Sequence, residues 1–393
     1  MTDPFPIPDY AGLTPTHALD WEGMARLVVR EVLQLERSER VILSANPYFG
    51  GAMLDAVRQE IQRVGAIELA TILHWTPALG PLRAASGARP DPADALAEDR
   101  AIRALFALAD VFIWLAHDGR APTATYTVGQ TERALESWTG RAVHFHWFHD
   151  PNQPDPEHPV NRALDLVYQD AILNLDYGAL RRTMGSLTER MANATIRITT
   201  PAGTDLRFRT TGRFHQNYGD ASRAGVAGAR SPRDREEEIP CGAIRTIPVE
   251  ESAEGVLAFD EPFGFPAAGH GLPLDRFMTH GLRLVFSEGR LVRLEAGGDQ
   301  AALDALWAAE TGDKDRLGEM VLGCNPRLTP VPGSRFLPYY GYGAGALRLT
   351  IGENVESGGR YRSSLHRWLF FGDATLVANG QVLVEGGRLL PTP

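Results

Sequence analysis

Between Arg316 and Ala374 the chain gathers chemistry-bearing side chains more densely than anywhere else. Glu319 stands alone in RLGEMVLGCNP. Glu353 and Asn354 lie in IGENVESGG with the glycine pair Gly358-Gly359, and His366 closes a Ser-Ser-Leu-His run that begins at Ser363. A carboxylate and an imidazole brought together are raw material for a metal or acid–base site, and glycines let backbone approach a ligand closely. Asn354 is also a candidate for left-handed backbone. Upstream, PYYGYGAGA sets Tyr339, Tyr340 and Tyr342 on a glycine-rich loop suited to a lid or an aromatic wall, although ordinary partial burial explains such tyrosines equally well.

These residues need elements to position them. Residues 20–36 place Met24, Leu27, Val28, Val32 and Leu35 on one helical stripe, and RVILSANP follows as a buried strand. A helix with Leu54, Val57, Ile61 and Val64 at helical spacing runs to Gly65, then IELATIL reads as a strand. A helix over 94–109, the strand DVFIWLA, a helix over 127–140 and the strand RAVHFHWF complete an α/β pattern that requires a mostly parallel sheet. No G-x-G-x-x-G or Walker pattern follows the first strand, which excludes a nucleotide-binding fingerprint. The proline-rich DPNQPDPEHP reads as a stiff linker, giving an α/β domain over 1–158 and a second domain over 159–393. The second is strand-rich α+β and largely antiparallel. Its hairpins turn at Pro-Ala-Gly (201–203), Glu288-Gly289 and Asn379-Gly380.

A net charge of −10 and the absence of a basic cluster argue against nucleic-acid binding; ARSPRDREEE reads as a solvated loop. Two cysteines, Cys241 and Cys324, exclude a disulfide framework or a thiolate zinc site and fit a reducing compartment. The N-terminal stretch shows no signal-peptide pattern and no run is long enough for a membrane span, so a cytoplasmic, membrane-free protein is expected. His144 and His146 alternate onto one face of a strand, but a strand end entering a polar loop, with His149 beyond, explains them better than a ligand role. Glu250, Glu251 and Glu254 read as a solvated edge. Ser363 and Ser364 lie too close to His366 in sequence for a triad.

Five stretches (TPAGTDLRF, IPCGAIRTIPVEESAEGVLAF, GLRLVFSEGRLVRLEA, LGEMVLGCNP, and IGENVESGG with SSLH) resemble the aminopeptidase T and aminopeptidase S family of metallopeptidases over most of the chain. The resemblance implies two domains, a homodimer, and a metal centre in the second domain. Of the five ligand positions it implies, Glu319 and His366 are kept, while Ala243, Arg348 and Trp368 stand where the family has a glutamate, a histidine and an aspartate. Two surviving ligands cannot hold a pair of divalent ions that each take about four to six donors. The 2,5-dihydroxypyridine dioxygenases look like relatives of the same fold, with one iron on two histidines and a carboxylate.

Three functions follow. The first is a divergent metal-dependent hydrolase acting on a peptide-like or small nitrogen-containing substrate, with one Zn, Fe, Mn or Co ion on Glu319, His366 and a third ligand, Asp373 with His280 and Glu353 as alternatives. Arg348, Glu353 and Tyr361 are then the catalytic candidates, and Tyr340, Tyr342 and Trp368 the substrate-binding ones. The second is a mononuclear iron ring-cleaving dioxygenase. The third is a metal-free peptide or small-molecule binding protein, in which the Arg348 guanidinium replaces the cation and holds a carboxylate or pairs with Glu319, and Trp368 offers a stacking surface.

Overall fold

The computed structural model describes residues 17–45, 47–73, 92–115, 135, 137–150, 152–153, 155, 157–262, 269–334 and 336–391. The expected helix over 127–140 lies largely outside them, as do His74 and His117. The chain forms two compact units, residues 1–173 with 220–240, and residues 174–219 with 241–393.

The first unit is built on an all-parallel sheet. Along the chain its strands are β1 (Arg40–Ala45), β2 (Ile67–Leu73), β3 (Val111–Leu115), β4 (Arg141–Phe145) and, much later, β8 (Glu236–Ile239), in spatial order β2-β1-β3-β4-β8. Strands β1, β3 and β4 are almost continuously apolar and buried, as a sheet covered on both faces requires. Helices α1 (Trp21–Arg26), α2 (Pro47–Val64), α3 (Pro92–Ala107) and α4 (Pro159–Leu173) belong to this unit. Asp20 caps α1 by accepting from Gly23 N at 2.8 Å, and the helix continues as a π-helical turn over Leu27–Val32. Phe106 of α3 packs with Ile42, Phe112, Trp138 and Ala142 on one face of the sheet.

Two expectations change here. The proline-rich segment does not end the first unit, because α4 and β8 both belong to it. ARSPRDREEE is no solvated loop: Glu236, Glu237 and Glu238 are buried in β8. Arg233 pairs with Glu236 and lies 3.4 Å from Glu238, and His144 Nδ1 lies 3.2 Å from Glu236. His144 and His146 are likewise buried, stacked at 5.3 Å between centroids, and His149 meets the buried Asp165 at 2.8 Å. The polar loop expected around them is interior.

The second unit holds two antiparallel sheets. The first comprises β5 (Thr195–Thr199), β6 (Asp205–Arg209), β10 (Glu254–Phe259), β12 (Leu282–Ser287), β13 (Arg290–Ala296), β17 (Thr375–Ala378), β18 (Gln381–Glu385) and β19 (Arg388–Leu389). Their spatial order is β13-β12-β10-β6-β5-β17-β18-β19. Alternate residues of β5, β6 and β12 are buried, so one face packs inward. The predicted turns are present: Gly203 at φ 100°, Glu288-Gly289 at 51° and 74°, and Asn379-Gly380 at 48° and 86°.

The second sheet comprises β7 (His215–Asn217), β9 (Ala243–Thr246), β11 (Gly269–His270), β14 (Leu317–Gly323), β15 (Leu347–Gly352) and β16 (His366–Phe371), ordered β11-β16-β15-β14-β9-β7. Helices α5 (Tyr177–Met191), α6 (Asp275–Met278) and α7 (Gln300–Ala309) complete the unit, with Asp176 and Asp299 capping α5 and α7. Among the described residues no helix is long and apolar enough to cross a membrane.

Candidate functional site

Residues directly opposite one another in an antiparallel pair point to the same face, and so do residues two apart on a strand. Register therefore decides which side chains of the six-stranded sheet share a face. Arg245, Val321, Arg348 and Phe370 form one row across β9, β14, β15 and β16. The next row on that face is Glu319, Thr350 and Trp368, and the next is Gly352 with His366. A bulge at Gly318 makes this possible. Pairing shifts between Leu317 and Glu319, so Leu317 opposes Ile351 while Glu319 opposes Thr350. Without the bulge, Leu317 and Glu319 would share a face; with it, Leu317 packs opposite and the carboxylate is re-aimed. A glycine suits the position, since a Cβ there would stand 3.0 Å from the Gly352 carbonyl oxygen.

Glu319, only 4% exposed, is gripped from three sides. Its Oε2 lies 3.2 Å from Nη2 of Arg348 and 3.5 Å from Nη1 of Arg245, and its Oε1 accepts a hydrogen bond from Ser357. Both guanidiniums are buried. Arg348 stacks over the Trp368 ring at 4.2 Å, a cation–π contact worth about 2 kcal/mol where water is excluded. Arg245 donates to the Tyr342 hydroxyl, which is itself buried. Asn354 fixes the loop that brings Ser357 in: its Nδ2 donates to Gly318 O at 3.1 Å and its Oδ1 accepts from Tyr361 N at 2.9 Å. Asn354 is thus a side-chain staple and not the left-handed residue expected of it.

The partly exposed rim is aromatic. Tyr340 meets Trp368 edge-on at 5.0 Å, while Tyr339 and Tyr342, both buried, pack against each other at 5.1 Å. Tyr339 and Tyr340 both hold left-handed backbone, with φ of 44° and 52°, a conformation that costs bulky residues about 1–3 kcal/mol each. His366 closes the row with both ring nitrogens engaged: Nδ1–H donates to Glu353 O at 2.9 Å, and Nε2 accepts from Trp368 Nε1–H at 2.7 Å.

These contacts do not fit a metal ion. The Glu319 carboxylate faces two permanent cations, and the lone pair that His366 would offer a metal holds the indole N–H. Asp373, the third expected ligand, is exposed in the bend after Phe371, at the other end of β16 from His366. Among the described residues no group of three His, Cys, Asp or Glu could hold a metal. Of the trio Glu319, His366 and Asp373, the sheet brings the first two onto one face and leaves Asp373 apart from them.

Of the catalytic candidates, Arg348 lies at the centre of the site. Glu353 takes part through its backbone carbonyl. Tyr361 is buried under Arg316, whose Cζ lies 5.6 Å from the ring centre; its hydroxyl has no hydrogen-bond partner, and burial pushes its pKa up. A buried phenol so displaced is no acid or base near neutral pH. Tyr340, Tyr342 and Trp368 do gather around the two arginines. Glu250 pairs with Arg360 at the surface, and Ser364 donates to Glu310; neither joins the site. Arg245, Ser357 and Thr350 are the residues missed from sequence. Period-two alternation from Ala243 would have found Arg245; the other two depend on a loop staple and a bulge that leave no local signature.

No protein-family model and no curated protein matches the chain. Solved structures that match the chain along most of its length include these two. AmpT from Thermus thermophilus superposes with a TM-score of 0.64 at 16% identity, covering 94% of this chain and 99% of that one. The 2,5-dihydroxypyridine dioxygenase from Pseudomonas putida KT2440 superposes with a TM-score of 0.59 at 15% identity, covering 98% and 99%. The expected resemblance holds at the level of architecture, and this chain has the fold that AmpT and 2,5-dihydroxypyridine dioxygenase share.

Proposed function

We propose that the protein binds a small carboxylate without a metal, on the face of the six-stranded sheet that carries Arg245 and Arg348. The observation that supports this most is the state of Glu319, which holds two buried guanidiniums side by side instead of facing a cation-binding histidine. A guanidinium is a permanent charge whose planar fork matches a carboxylate, so the pair is preorganised for an anion. Tyr340, Trp368 and His366, each partly exposed, supply an aromatic wall beside it, which favours a ligand with an apolar or aromatic tail. The metal-dependent hydrolase and the iron dioxygenase implied by the resemblance both require Glu319 to exchange two guanidiniums for a divalent ion and His366 to release Trp368.

Elemental mass spectrometry of the purified protein, before and after incubation with Zn, Mn, Co and Fe(II), separates these readings. It is paired with thermal melts in 3-phenylpropanoate and in its neutral amide. Binding to the native state raises the melting temperature by linkage. The expected result is no stoichiometric metal, stabilisation by the carboxylate and none by the amide. One equivalent of metal that disappears in E319A would overturn the proposal in favour of a metalloenzyme, and the element would choose between hydrolase and oxygenase.

A further inference from the structure

Thr350 is the middle residue of the row Glu319–Thr350–Trp368 and is fully buried. Its Oγ1 has no hydrogen-bond partner among the described residues. Its neighbours on β15 include Leu347, Leu349 and Ile351, all buried and apolar. Valine would give the same β-branched shape without a hydroxyl, so packing does not explain threonine here. A buried hydroxyl left without a partner is costly, which makes it a candidate anchor for something that arrives later. Side chains directly opposite in an antiparallel pair have Cβ atoms about 5 Å apart, which makes Thr350 the direct cross-strand neighbour of Glu319 on the face that carries Arg348.

Building on the carboxylate-binding reading, we propose that Thr350 selects the ligand: a carboxylate with a hydroxyl or carbonyl oxygen on the adjacent carbon. The guanidiniums hold the carboxylate, Thr350 hydrogen-bonds the neighbouring oxygen, and the tail lies against Trp368 and Tyr340. A hydroxyl both donates and accepts, so 2-hydroxy and 2-oxo acids are both admitted.

The test is calorimetric titration of wild type, T350V and T350S with 3-phenyllactate and 3-phenylpropanoate, which differ by one hydroxyl. Wild type should prefer 3-phenyllactate by about tenfold, roughly 1.4 kcal/mol. T350V should bring the ratio close to one while leaving 3-phenylpropanoate binding unchanged, and T350S should keep the preference. Ligand-free T350V should also melt above wild type, because its buried hydroxyl is gone. Equal binding of the two acids by wild type, or a preference that survives in T350V, overturns the assignment while the carboxylate-binding reading stands; an ordered water on Thr350 would produce the first pattern. Failure of both acids to bind a protein that carries stoichiometric metal overturns both.

Discussion

With two guanidiniums on one carboxylate, removing the acid and removing a base have different consequences. E319A leaves Arg245 and Arg348 buried against each other, and should destabilise the fold by about 3–5 kcal/mol, read from denaturant midpoints. A carboxylate kept only to ligate a metal would show no such loss in metal-free protein. Y361F acts in the opposite sense, removing an orphan hydroxyl, so it should be neutral or stabilising and leave carboxylate binding unchanged. The raised Tyr361 pKa means that the folded state keeps a proton the unfolded chain gives up near pH 10, so wild-type stability falls above that pH. That alkaline decline should be shallower in Y361F. Glu319, Arg348, Trp368 and His366 were legible as a group because the resemblance to the aminopeptidase T family sets all four at its ligand positions. The pairing of Arg348 with Glu319 was among the readings, but the second guanidinium, Arg245, and the Ser357 hydroxyl were not, since which face Glu319 takes depends on a one-residue bulge.

Elements were easiest to read where a turn or a period dictates them. The three hairpin turns and the buried strands β1, β3 and β4 follow from local chemistry alone. Strand β8 does not: three consecutive glutamates carry no strand signal, and Glu236 is interior with the nearby Arg233 and with His144 of the neighbouring strand β4 against it. Strands β1 and β3 are tied at their starts by Arg40 and Asp110, which pair bidentately at 3.0 Å while Asp110 Oδ2 also accepts from Arg40 N at 2.9 Å. The Arg40 side chain holds the Asp110 carboxyl below its usual range. A depressed folded pKa adds stability above the unfolded value, near 4, and that stability is lost as pH falls through the folded value. D110N should therefore lower stability at neutral pH and flatten the acid limb of the unfolding curve, with a modest effect because the pair is partly exposed.

For the molecule as a whole, the division into two units predicts how it can be cut. A fragment over 1–158, bounded by the proline-rich segment, lacks α4 and β8 and should show no cooperative thermal transition. Length and the α/β-then-β pattern were enough to foresee two bodies. The excursion that returns at Asp220 to complete the first was invisible, because a later strand joining an earlier sheet is a long-range pairing with no local mark. The late return of β8 also orders events on the ribosome. Strand β4 ends at Phe145 and its outer neighbour begins at Glu236, so about ninety residues must be made in between, several seconds or more at about 5–20 residues per second. For that interval the nascent sheet carries an apolar parallel edge with nothing beside it, the kind of surface that chaperones cover and that aggregates when they do not. Yield in a fast-translating host should then depend on chaperone supply more steeply than the finished protein's stability would suggest.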